Sequence, residues 1–256
     1  MSLFSIINSM LGIHKKIDVE KLPSQGLFYK DNFELHIKKA DIEDIIEYEY
    51  NYDSQNLGVV ITKLKKIVEK NVILPSTYSY NDIKSVDIVF LFLEIVKFTN
   101  NRPIELYFFN DLINKEDSIS FESSTFNYYK LNKSLTDSYD SVNRCFNING
   151  YKYSVPSIGV ENSLTQFLIY KSDLPGAEVY NNYSYDFLYF LADKSYLTFD
   201  EIENLIMIFN FEMIHDEKAK VRDIIKNLAL IGKYSLKNGN QIIDVTAKID
   251  LSTIWK

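Results

Sequence analysis

The sequence predicts an α+β fold that is mainly helical, with a buried central helix, a β-hairpin-containing middle region and a C-terminal strand. Three observations predict it. Apolar residues recur at helical spacing through much of 41–98 and 161–231, the period changes to two after Pro103, and an Asn-Gly pair joins two alternating runs near residue 150. The divisions that follow are an N-terminal amphipathic docking helix within 1–20, a strand-plus-helix region at 21–102, a β-rich region with a long Ser/Asn/Tyr loop at 103–160, and a helical region at 161–256 ending in a strand.

In Met1–Ile13 the apolar residues Leu3, Ile6, Ile7, Met10 and Leu11 share one helical face, and Ser2, Ser5, Asn8 and Ser9 take the other. Leu22-Pro23-Ser24-Gln25-Gly26-Leu27-Phe28-Tyr29 reads as a turn, since proline fixes one φ and Gly26 is free to take φ > 0. A strand follows, with Phe33, Leu35 and Ile37 alternating against Glu34, His36 and Lys38. Asp41 starts a helix expected to bury Ile42, Ile45 and Ile46 and to expose Glu43, Asp44 and Glu47. A second helix, 56–72, buries Leu57, Val60, Ile61, Leu64, Ile67 and Val68 and carries a stripe of Lys63, Lys66 and Lys70. A third, 82–98, is apolar on nearly every side and is interrupted only by Asp87, Glu94 and Lys97, which places it at the centre of the fold.

Residues 104–109 and 119–122 read as strands, and 123–143 as a long exposed loop. Asn149-Gly150 suits a type I′ turn, and the resulting register pairs Ile148 with Tyr151, Asn147 with Lys152 and Phe146 with Tyr153. Helices are expected at 161–171 and 184–193. Another opens on the capping box Thr198-Phe199-Asp200-Glu201, with Leu197 and Ile202 as its staple. A last helix runs from about 217 to 231 and stops at Gly232. The chain closes with one alternating strand from Ile243 to Leu251.

Composition excludes several function classes. A net charge of −7 argues against a general electrostatic grip on nucleic acid or anionic lipid. No run reaches the roughly 18–20 apolar residues that cross a bilayer. One cysteine, Cys145, allows no internal disulfide and suits a reducing compartment. His14, His36 and His215 are far apart, no G-x-G occurs, and no Ser stands in a nucleophile elbow. No catalytic constellation, metal site or cofactor is therefore expected. The acidic run Asp41 to Glu49 and the lysine stripe read as solvated faces of consecutive helices, with binding of charged partners as the alternative. Of the 19 Tyr and 17 Phe, some have structural positions: Phe90 and Phe92 in the central helix, Phe209 in a helix stripe, and Phe146, Tyr151 and Tyr153 on the hairpin face. The rest concentrate at Tyr48–Tyr52, Phe126–Tyr129 and Tyr180–Tyr189, which suit interface anchors, with a composition bias as the alternative account of their number.

An ordered set of features in the first hundred residues resembles the baseplate hub subunit and assembly proteins of T-even-like contractile-tailed bacteriophages. Pro23-Ser24-Gln25-Gly26 matches a P-S-x-G opening ahead of a strand, and an acidic helix start follows at Asp41–Glu47. An amphipathic helix comes next, at Leu57–Val72. Last is Ser85-Val86-Asp87-Ile88-Val89-Phe90-Leu91-Phe92-Leu93, similar to a D-x-x-(aromatic)-L-F-L helix. The chain departs from that pattern in having His36-Ile37-Lys38-Lys39 after the strand, Val72 in place of a cysteine, and Val96-Lys97 where an arginine is expected.

The resemblance implies a non-enzymatic structural or assembly subunit, located in the tail baseplate of the virion and assembled in the host cytoplasm. Its implied partners are other hub and spike proteins and the tape-measure protein, with no nucleic acid and no membrane; a homo-oligomer within the baseplate is compatible with it. The candidate interaction residues are Leu3, Ile6, Ile7 and Met10 on the N-terminal helix and Pro23, Ser24, Gly26, Phe28 and Tyr29 on a turn expected to present an aromatic tip to a neighbour. The alternating C-terminal strand is a further candidate, by strand addition. Two other readings stand beside this one: a transient assembly chaperone absent from the mature particle, and an enzyme with a dispersed carboxylate site.

Overall fold

A computed structural model of the chain describes residues 13–31, 33–50, 57–110, 114–121, 126–128, 136–148, 151–173, 186–191, 195–231, 234–238, 241–244, 249–250 and 254–255. The expected N-terminal helix with Leu3, Ile6, Ile7 and Met10 lies outside them. In chain order the first part holds β1 (His14–Ile17), β2 (Leu35–Lys38), α1 (Ile42–Tyr50), α2 (Leu57–Asn71), β3 (Val72–Ile73), α3 (Ile88–Asn100), β4 (Glu105–Asn110) and β5 (Lys115–Ser120). The second adds β6 (Phe126–Tyr128), β7 (Tyr139–Asp140), β8 (Cys145–Ile148), β9 (Tyr151–Tyr153), α4 (Ile158–Ser172), α5 (Asp186–Tyr189), α6 (Phe199–Met207), α7 (His215–Leu228), β10 (Tyr234–Asn238), β11 (Gln241–Asp244) and β12 (Ile249–Asp250). The architecture is α+β, with helices around small antiparallel sheets ordered β1-β2-β3, β12-β4-β5, β11-β10-β6 and β7-β8-β9.

The described residues form two hydrophobic cores. The first is organised on α3, whose residues Phe90 to Val96 are all buried, as its continuous apolar sequence predicts. Phe92 packs against Tyr48 at 5.3 Å and edge-on to Trp255 at 6.0 Å, and Phe90 meets Phe121 edge-on at 6.0 Å. The one charge in this stretch, Glu94, receives a hydrogen bond from Lys15 Nζ at 2.5 Å. The helix ends at Asn101, whose φ of 51° lies in the left-handed region that Asn tolerates. Leu35 and Ile37 of β2, the middle strand between β1 and β3, are buried beneath it, and His36 is buried as well.

The second core joins the β8–β9 hairpin to α4, α5, α6 and α7. The hairpin register is the one its sequence dictates: Phe146↔Tyr153, Asn147↔Lys152 and Ile148↔Tyr151, with Phe146 and Tyr153 buried. Thr198 accepts from Glu201 N and the Glu201 carboxylate accepts from Thr198 N, completing the capping box, while Leu197 and Ile202 are buried beside it. Phe187 stacks on Phe209 with ring centres 4.2 Å apart. Cys145 is buried. No helix among the described residues is long and apolar enough to cross a membrane.

Several expectations are corrected. In α1 Glu43 and Glu47 are exposed and Ile45 packs on the first core, as expected, but one acidic residue turns inward: Asp44 is buried, whereas Ile42 and Ile46 are 72% and 56% exposed. The cause is convergence from α2, where Lys70 Nζ donates to Asp44 Oδ1 at 2.5 Å and Asn71 Nδ2 donates to Asp44 Oδ2 at 3.4 Å. Lys66 also lies 3.7 Å from Glu47, so the acidic and basic faces partner each other. Burial works against the Asp44 carboxylate, yet those hydrogen bonds hold it below its ordinary value. The expected 82–98 helix begins only at Ile88, after short 3-10 turns at Tyr80–Asp82 and Ser85–Asp87. The expected loop 123–143 contains β6, paired to β10, and β7, paired to β8. Of the expected C-terminal strand, Ile243–Asp244 belongs to β11, which pairs with β10, and Ile249–Asp250 forms β12, which pairs with β4; 245–248 and Leu251 lie outside the described residues. Finally, Tyr48 is a core residue rather than a surface anchor, and so is Phe187 in the third aromatic cluster; Tyr52 and Tyr129 lie outside the described residues.

Candidate functional site

Residues 22–29 fold into the turn their composition predicts. The Gln25 N–H donates to the Leu22 carbonyl at 2.7 Å, and the Leu27 N–H donates to the Ser24 carbonyl at 3.2 Å. Gly26 takes φ 69° as expected. Gln25 also sits at positive φ, 56°, a conformation that costs an L-residue roughly 1–2 kcal/mol.

A single buried carboxylate holds this turn in place. Asp87, at the foot of α3, is fully buried. Its Oδ1 accepts from the Ser24 N–H at 2.8 Å and its Oδ2 accepts from the Tyr29 hydroxyl at 2.8 Å. The Tyr29 oxygen accepts in turn from the Lys84 N–H at 2.9 Å. Burial pushes Asp87 up to about 6 against the opposing pull of these hydrogen bonds. Burial, reinforced by the Asp87 carboxylate, raises Tyr29 well above its ordinary value. The P-S-x-G segment and the D-x-x-F-L-F-L segment, about sixty residues apart in sequence, are therefore two halves of one unit. The Asp87 carboxylate is committed to this clamp and does not cap α3, while its backbone, in the αR region, leads from the 3-10 turn Ser85–Asp87 into the helix.

The turn also pins the two cores together, because its adjacent aromatic residues enter different ones. Tyr29 stacks on Phe33 at 4.1 Å in the first core. Phe28 meets Phe146 edge-on at 5.9 Å in the second, and the Tyr139 hydroxyl donates to the Leu27 carbonyl. This reverses the expectation of an aromatic tip offered to a neighbour: Pro23, Ser24, Phe28 and Tyr29 are buried, while Gly26 is half-buried. The phenol of Tyr29 has found its polar partners inside the chain, and the apolar ring of Phe28 has no reason to face water.

Where the turn meets the second core a cleft of about 570 Å³ remains, walled by Phe28, Tyr29 and Lys30 on one side and by Asn143, Arg144 and Ser154 on another. Lys84, Asp82, Ser157 and Ser195 line it too. Lys84 Nζ lies 5.8 Å from the Phe28 ring centre and donates to Ser154 Oγ at 3.0 Å. Ser154 Oγ spends its own proton on the Val155 carbonyl at 2.7 Å. That polarity makes Lys84 a cation steadying a hydroxyl rather than a base drawing a proton from it. Asp82, the one carboxylate among the lining residues, accepts from Ser79 N and Oγ.

Beneath it lies a close approach that sequence reasoning passed over. A Cβ at Gly159 would stand 1.6 Å from the Ser195 carbonyl oxygen and 2.8 Å from Asn81 Cβ. The start of α4 thus touches two lining segments through a glycine. Lys84, Arg144 and Ser154 were also missed, since none belongs to a motif and only the fold brings them together. Asp87 did carry a signal, as a charge in an otherwise apolar run. Comparison with family models, with curated proteins and with solved structures finds no match for this chain.

Proposed function

We propose that this protein is a non-enzymatic structural or assembly subunit of a contractile-tail baseplate hub, acting through protein–protein contacts. One observation carries the reading. The two most distinctive segments of the resemblance, the P-S-x-G turn and the D-x-x-F-L-F-L helix, meet on the Asp87 carboxylate through hydrogen bonds of 2.8 Å. Short motifs that resemble a family by chance have no reason to be partners in space, whereas segments of one inherited unit do. A rigid turn pinned between two cores also suits a part whose work is to hold neighbours at fixed positions. Its partners under this reading are other hub and spike proteins and the tape-measure protein.

The experiment is mass spectrometry of purified particles combined with a density map of the intact baseplate. A hub subunit is present at a fixed low copy number, with this fold seated at the hub. Particles that lack the chain but need it to assemble would make it a transient chaperone. Baseplates that form normally without it would end the reading.

A further inference from the structure

We propose that the cleft beside the P-S-x-G turn docks the side-chain carboxylate of an acidic peptide segment on a partner protein. The inference rests on the assembly reading above and adds the chemistry of one contact. Its volume of about 570 Å³ falls within the roughly 300–1,000 Å³ of ordinary ligand sites. In a chain of net charge −7, three cations line it, Lys30, Lys84 and Arg144, against Asp82, which is already held by Ser79. The side chains that line the cleft carry an excess of positive charge within a negative chain; Asp31 offsets Arg144 from outside the lining and the buried Asp87 sits behind Tyr29, so the excess meets an incoming carboxylate once Asp31 gives way.

Arg144 shows what the site accepts. Its guanidinium, 25% exposed, pairs with the carboxylate of Asp31, a side chain that is itself 88% exposed. The planar fork of an arginine matches the two oxygens of a carboxylate. A carboxylate still almost wholly in water has surrendered little hydration to reach Arg144, so an incoming one displaces it at small cost. The receiving side is fixed in advance. Asp140 Oδ1 accepts from the N–H groups of Val142 and Asn143 at 2.9 and 3.0 Å, and this turn holds Arg144 at φ 55°. Backbone strain of that kind persists where the surroundings dictate it, and here it aims a recognition group.

The test uses the purified full-length chain and a fluorescein-labelled peptide alternating glutamate and leucine, with the glutamine-for-glutamate peptide as control, read by fluorescence anisotropy. The acidic peptide should bind saturably and the control should not. Arg144→Gln should weaken binding about tenfold or more. Asp31→Asn removes the resident competitor and should tighten it about threefold, whereas Asp216→Asn, which removes an equal exposed charge from α7, should leave it unchanged, so that a general change in net charge is told apart. Equal binding of both peptides, tenfold-tight binding retained in Arg144→Gln, no tightening in Asp31→Asn, or displacement by equimolar inorganic phosphate would each overturn the proposal. If Arg144→Gln does not fold, the Asp31→Asn result decides alone. Binding is read on the chain and incorporation on particles, so a cleft that takes no peptide leaves the baseplate reading standing. Peptide binding by a chain absent from particles removes that reading and leaves the cleft.

Discussion

Replacing Asp87 by Asn tests the clamp on which the candidate site depends. The ordinary carboxyl value of 3.8 rises to about 6 at this fully buried position. The folded state therefore binds the proton more tightly than the unfolded chain. Stability follows the side that holds more protons, so this group stabilises the fold at low pH and ceases to do so as pH rises through about 6. At about 1.4 kcal/mol per tenfold in proton affinity, the full difference is about 3 kcal/mol, of which about 2 kcal/mol falls between pH 4 and pH 7. Asparagine keeps an acceptor for the Ser24 N–H and does not titrate. The stability difference between wild type and Asp87→Asn should accordingly change by about 2 kcal/mol across that window, the variant gaining relative to wild type as pH rises. The change, not the offset at any single pH, is the quantity to read, because every other titrating group cancels in it. Urea denaturation at a series of pH values, followed by fluorescence of Trp255 in the first core, measures it. Parallel stability curves for the two proteins would refute the reasoning, since the buried carboxylate would then carry no excess proton affinity.

Two further substitutions probe the same architecture. Gly159→Ala places a methyl group 1.6 Å from the Ser195 carbonyl oxygen and should destabilise the chain by at least about 3 kcal/mol, measured by the shift in denaturation midpoint. Lys15→Met strands the Glu94 carboxylate in the first core; because Lys15 itself is 39% exposed, the cost should be about 1–3 kcal/mol, and adding Glu94→Gln should recover much of it in a double-mutant cycle.

Local signals were read well wherever the interaction that decides the structure is itself local. The hairpin register follows from Asn149-Gly150 and the alternation on either side of it, and the observed pairs Phe146↔Tyr153 and Ile148↔Tyr151 are the expected ones. The Thr198–Glu201 capping box spans three residues and forms as written. The central helix is legible because nothing but the middle of a core accommodates Phe90 to Val96. What escaped is decided at long range. Periodicity assigned Asp44 to solvent because aspartate is usually there, and only the arrival of Lys70 and Asn71 makes the inward position the better one. Asp87 is helical, as its neighbours suggest, in the 3-10 turn Ser85–Asp87, but the commitment of its carboxylate to Ser24 and Tyr29 is decided at long range. The Ser/Asn/Tyr-rich stretch looked like a loop, and its strands depend on β8 and β10, whose edges no local pattern announces.

The same distinction bears on the aromatic residues. Their number invites an interface explanation, but position divides them. Tyr48, Tyr29, Phe28 and Phe187 are interior, and each is there because a partner ring or a buried polar group receives it. Tyr107 and Phe109 on β4 and Phe211 beyond α6 remain largely exposed. An exposed aromatic on a sheet that also receives β12 offers a partner both a flat apolar contact and an edge close by. The cleft offers something different, a carboxylate receptor fixed by a strained turn. Under the proposed reading, a chain that uses both has an apolar contact for affinity and a charged one for register, with Arg144 set by the Asp140 turn and Lys30 by the turn that Asp87 holds. Loosening Asp87 should therefore impair recognition at the cleft before it unfolds the chain, because the turn carrying Phe28, Tyr29 and Lys30 is what Asp87 holds.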